Sequence, residues 1–193
     1  MAFDREQIVI INEALKTGKL SDARFSGSEF FANAVQGTKK TDNGDVYSPY
    51  YFDDNGKEIY VGLNDDAPLR IYHRVIGSTY NTSNNYGNRN LWLNQTINAY
   101  MVVYGKVARV KLRSDEIEML LVAGFPDIIE KNLLPTGLVD MGVNVTSSTT
   151  EQRTIFNIEF PNGDFRLSAE DIYVRINYTI TSRFNKDCVK ICC

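Results

Sequence analysis

Side chains that carry chemistry are scarce in this chain. Its 193 residues hold one histidine, one tryptophan, five prolines and three cysteines. The cysteines, Cys188, Cys192 and Cys193, sit together at the C-terminal end. An odd count in a tail suits reduced thiols better than a disulfide framework. The C-x-x-x-C-C spacing, with no histidine nearby, matches no common zinc pattern, so neither metal nor cofactor is expected. No apolar run approaches the ~20 residues that cross a bilayer. The opening MAFDREQIVI lacks the basic stretch and apolar core of a secretion leader, which points to the cytoplasm of the producing cell. A formal net charge of −3 gives no global pull towards nucleic acid or anionic membranes. Phosphate-binding and dinucleotide-binding glycine motifs and a nucleophile elbow are all absent.

What the chain does have is alternation. In IYVRINYTITS (residues 172–182), Ile172, Val174, Ile176, Tyr178 and Ile180 fall on one set of alternate positions. Tyr173, Arg175, Asn177, Thr179 and Thr181 fall between them. Successive side chains of a strand point to opposite faces. The segment therefore reads as a long strand with one buried face and one polar face open to contact. Four Asn-x-Ser/Thr sequons, at Asn81, Asn94, Asn144 and Asn177, read as chance products of an Asn- and Thr-rich composition.

Similar patterns fill most of the chain. Asp4 is placed to cap a helix over residues 5–17, with Ile8, Ile11 and Leu15 at helical spacing and Gly18 to stop it. Residues 29–35 suit a strand or a short helix. Tyr47–Phe52 and Glu58–Leu63 flank Asp53-Asp54-Asn55-Gly56 as a hairpin whose first arm, holding Pro49, is an edge or is interrupted. Leu69–Thr79 alternates as a strand, and 81–90 reads as a long exposed loop. Residues 96–112 suggest one long strand or a hairpin bent at Gly105. Ser114 is placed to cap a second helix ending at Gly124. Leu138–Thr146, Arg153–Phe160 and the final segment read as strands. The expected fold is a single α+β domain over residues 1–193. Its core is a mostly antiparallel sandwich-like or barrel-like sheet with two short helices, followed by a cysteine-bearing tail from 185.

Candidate sites are weak by chemistry and stronger as contact surfaces. His73 shares a strand face with Ile71 and Val75, so a satisfied, partly buried histidine accounts for it more simply than a general base. No catalytic residue is assigned. The acidic segment Asp42–Asp66 fails the spacing of a calcium loop, and Asp-Asn-Gly is accounted for by turn chemistry. Arg109, Lys111 and Arg113 would share one face of the long strand. Opposite charges on separate patches, Asp53 and Asp54 against that stripe, can join identical subunits head to tail. Tyr51 in the acidic hairpin, Tyr86 and Trp92 around the polar loop, and Tyr173 and Arg175 on the last strand complete the expected contact set.

The layout resembles the small neck, tail-completion and tail-terminator proteins of tailed bacteriophages. The resemblance rests on an amphipathic first helix (REQIVIINEALKTG), a second short helix (SDEIEMLLVAG) and a long final strand (DIYVRINYTITSRF). DAPLRIYHRVIGSTY is similar to segments of virion proteins from crAss-like phages. The resemblance implies a non-enzymatic virion subunit, assembled in the host cytoplasm. It implies a homo-oligomeric ring of six or twelve copies, with neck, tail and portal proteins as neighbours and DNA passing non-specifically through its channel. The alternative is a carbohydrate- or surface-binding β module of fibre or adhesin type.

Overall fold

Fifteen consecutive residue pairs join two strands at the centre of the molecule, β6 (Trp92–Lys106) and β8 (Asp171–Asn185). In the computed structural model, which describes residues 2–41, 44–53, 55–61, 66–83, 92–124, 138–161 and 168–185, these strands anchor a five-stranded sheet. β5 (Leu69–Ser83) lies antiparallel to β6, and β7 (Leu138–Thr149) lies antiparallel to the far side of β8. The short β1 (Glu29–Asn33) adds in parallel to β5, giving the order β1-β5-β6-β8-β7. A second sheet of β2 (Val35–Thr41), β3 (Gly44–Phe52) and β4 (Glu58–Tyr60) is wholly antiparallel. Neither sheet closes into a barrel.

One face of the large sheet buries Ile71, Met101, Val103, Val174, Ile176 and Ile180. Helix α1 (Ala2–Thr17) covers it with Ile8, Ile11 and Leu15. Helix α3 (Ser114–Gly124) adds Ile117 and Leu121. Both helices follow the predicted stripes, because one apolar face per helix can be buried only against the sheet. Helix α1 starts before Asp4, which therefore does not cap it. The opposite face holds an aromatic cluster. Tyr72, Tyr104 and Tyr173 pack with Phe156 and Phe160, neighbouring ring centroids lying 5.0–6.4 Å apart, and Tyr100 is buried in the same cluster.

Three expectations are corrected and one is narrowed. Residues 153–160 form no strand; helix α4 (Gln152–Glu159) stands there. Phe156, Ile158 and Phe160 alternate like a strand, but the buried set is Ile155, Phe156, Glu159 and Phe160, at helical spacing, and Ile158 is exposed. The long strand ends at Lys106. A helical turn, α2 (Val107–Val110), follows, and Lys111 reverses the chain with φ 57°. That turn buries Val110. Gly105 makes no bend: its missing side chain admits the Pro68 carbonyl and the Leu69 side chain, both 2.5–2.6 Å from where a Cβ would stand. The Pro49 strand is central in its sheet rather than an edge, and of the two expectations for it the interruption is the one found, on its β4 side. Pro49 accepts from the Val61 N–H but has no N–H to return, and the β3–β4 ladder ends at Tyr50 and Tyr60.

Smaller differences follow from the same packing. Residues 29–33 are strand. β5 runs on through Asn81 to Ser83, residues expected in the polar loop; 84–90 lie outside the described residues. Ser114 does not cap α3 with its hydroxyl, which accepts the Tyr173 N–H; the Glu116 carboxylate reaches back to the Arg113 N–H.

Gly105→Ala should destabilise the fold by about 1–3 kcal/mol, because backbone and a buried leucine block the new methyl. Urea denaturation against the wild type checks this; an unchanged midpoint would mean that the strand crossing yields easily.

Candidate functional site

The polar face expected on the last strand divides into two halves. The half near Tyr173 is inside the protein: Tyr173 is fully buried and packs on Tyr104 and Phe156. Its ring is thus unavailable to a neighbouring subunit, a correction that follows from α4 lying over it. The other half has no helix or strand over it among the described residues. There the alternate positions of four strands line up in three rungs. They are Gly77–Asn98–Thr179–Asn144, Thr79–Thr96–Thr181–Gly142 and Asn81–Asn94–Arg183–Asp140. All are polar or glycine. The four sequon asparagines fall on this same face, because residues two apart on a strand point to one side. They record the alternation itself.

Two arginines of β8 bracket this face. Arg175 lies 4.0 Å from the Tyr100 ring centroid, and Arg183 lies 4.5 Å from that of Trp92. Trp92 is therefore stacked within the sheet and only half-buried. Tyr51 turns inward: its ring packs on Phe31, and its hydroxyl accepts from Arg5 at 2.6 Å. Asp53 closes its turn by accepting the N–H groups of Asn55 and Lys57. Arg109 and Lys111 are exposed, and Arg113 pairs with Asp115 and Glu116. The three basic residues sit on a helical turn and a reversal, so the expected strand-face stripe does not exist. Asp54, Tyr86 and the three cysteines lie outside the described residues.

The second sheet presents a different surface. Its outward side carries Val35, Tyr50 and Tyr60 side by side across three strands, with Phe52 next along β3. Val35, Phe52 and Tyr60 are 42%, 46% and 37% exposed. Glu58, opposite Phe52, is exposed at the rim. The outward aromatics of the hairpin are Tyr50, Phe52 and Tyr60, whereas Tyr51, the expected contact residue, faces inward.

No family model matches the chain, and no curated protein matches it in sequence.

Two buried polar groups could suggest chemistry. His73 is fully buried. Its Nε2–H donates to Asn12 Oδ1 at 2.8 Å, and its Nδ1 accepts from the Tyr178 hydroxyl at 2.7 Å. Burial lowers its pKa to about 3, so the ring is neutral. A general base needs access to substrate; this ring ties α1 to the sheet. Glu159 is also fully buried. It accepts from the Tyr72 hydroxyl at 2.6 Å and pairs with Arg74 at 3.5 Å. Burial, with Tyr104 and Glu159 adding to it, holds the Tyr72 hydroxyl well above the usual phenol range, so it remains a donor. Among the described residues no group of His, Cys, Asp or Glu could hold a metal ion, and no helix is long and apolar enough to cross a membrane.

Sequence reading missed Glu159, because a charged residue on the buried side of a helix hides the apolar period. Glu159→Ala should cost about 3–5 kcal/mol, since it leaves Arg74 and the Tyr72 hydroxyl without their acceptor; thermal unfolding of the variant checks this.

His73 should make stability pH-dependent in one direction. Above about pH 6.5 both folded and unfolded chains carry a neutral ring. Between about 6.5 and 3 only the unfolded chain takes the proton, so stability falls by about 1.4 kcal/mol per pH unit. Urea titrations at pH 7 and pH 5.5 should show this loss, and His73→Gln, already less stable, should flatten it. An equal slope in the variant would assign the loss to carboxylates.

Proposed function

We propose that this chain is a non-enzymatic structural subunit of a tailed-phage virion, assembling into a ring in the neck or tail. The observation that carries the reading is the outer edge of β7. A sheet edge offers unpaired N–H and C=O groups to any strand that approaches, and proteins guard such edges with lysine, proline, short length or bulges. β1 is five residues long and β4 three, and β2 carries Lys39 and Lys40. β7 runs for twelve residues with no lysine, arginine or proline, and no described element pairs with its outer side. Its two bulges leave a regular run from Asp140 to Val145. An edge of this kind is suited to an extended segment of a neighbouring subunit. The polar sheet face beside it and the aromatic patch of the second sheet extend the contact area.

The expected result is a discrete multimer of the purified protein in mass photometry, with rings in negative stain. Asn144→Lys with Thr146→Lys, both exposed on β7, should release monomers of unchanged melting temperature. A strict monomer at high concentration that binds glycans through Trp92 would overturn this reading in favour of a carbohydrate-binding β module.

A further inference from the structure

We propose that the polar sheet face carrying Arg183 is a socket for the aromatic outer side of the three-stranded sheet of a second copy. The proposal rests on the assembly reading and names its contact. Stacking on Trp92 and Tyr100 fixes the guanidinium planes of Arg183 and Arg175, yet among the described residues no carboxylate lies within 4.0 Å of either. Their Nε atoms are buried without a hydrogen-bond partner. Asp140, directly across from Arg183, makes no ion pair with it. A guanidinium already stripped of part of its water gains more than a solvated one from an incoming carboxylate.

The complementary surface is on the same chain. Val35, Tyr50, Tyr60 and Phe52 form a contiguous outward patch. The Tyr50 ring lies over Gly37, where a Cβ would stand 2.5 Å from it, and meets Tyr60 at 5.8 Å between centroids. Glu58 stands at the rim, exposed and without an ion pair among the described residues. Aromatic rings beside a carboxylate are suited to an arginine by stacking and charge together. The polar face spans roughly 20 by 20 Å from its strand spacings. That is on the order of half the ~800 Å² per partner of a stable interface, and the neighbouring β7 edge would supply the remainder.

Socket and patch lie on different sheets, so one copy can receive with the first and give with the second. Such a contact is heterologous, and it closes into a ring when the rotation between copies closes. A nucleic acid fits the face less well: two arginines, one aspartate and no lysine cannot neutralise a run of phosphates.

Charge exchange tests the contact. Arg183→Glu and Glu58→Arg, each alone, should weaken assembly at least tenfold by mass photometry. A mixture of the two variants should assemble, because each broken surface then meets its reversed partner. Among the described residues Glu58 has no partner, so its variant still reports if Arg183→Glu fails to fold. Multimers unaffected by Glu58→Arg would overturn the socket while leaving the assembly reading standing. A monomeric wild type would remove both. A single-stranded oligonucleotide whose binding is lost in Arg183→Glu, with assembly intact, would replace the second copy by nucleic acid.

Discussion

The unbroken pairing of β6 with β8 decides which side chain faces which way over fifteen positions, and a slip of one residue would exchange the two faces entirely. The packing on either side follows from that register. Isoleucine, valine and methionine turn towards α1 and α3; four tyrosines turn the other way and require cover of their own. Helix α4 provides it. An antiparallel sheet can leave one face in water; among the described residues, half of the second face is covered by α4 and half has no helix or strand over it. The boundary falls near Arg74, Tyr100 and Arg175, where apolar burial gives way to cations stacked on a ring.

Buried polar sets hold the helices in place, among them Gln7 of α1 with Gln95 of β6. The His73 ring bridges Asn12 of α1 and Tyr178 of β8, and Glu159 of α4 meets Tyr72 and Arg74 of β5. Apolar contacts tolerate sliding; hydrogen bonds of fixed direction do not. Each set satisfies its donors only when the helix sits at one height on the sheet. Unsatisfied, the same groups would cost more than an apolar pair of equal size. These residues therefore serve positioning, although in a sequence they look like reagents.

The uncovered surfaces follow another rule. The roofless half of the sheet presents amides, hydroxyls and two stacked arginines, while the second sheet presents tyrosine, phenylalanine and a rim carboxylate. Among the described residues the longest free edge, that of β7, carries two bulges but no lysine, arginine or proline.

Local sequence was enough for elements whose side chains repeat at the period of their own backbone. Alternation determined β5, the central part of β6, and β8; helical spacing determined α1 and α3, and a sheet-centred α+β fold followed. It was also enough to make Ile172–Ser182 a two-faced strand. Tertiary structure alone decided the rest. Residues 153–160 satisfy both periods, and only the partner waiting under Phe156 and Glu159 selects the helix. The Arg109–Arg113 segment alternates locally, but burial of Val110 and the turn into α3 outweigh that preference. Whether Tyr173 lies in the core while Thr181 remains in water depends on where α4 ends, and no property of the strand itself encodes that. Short-range periodicity fixes which atoms share a face, whereas the burial that chooses among faces comes from residues far away in the chain.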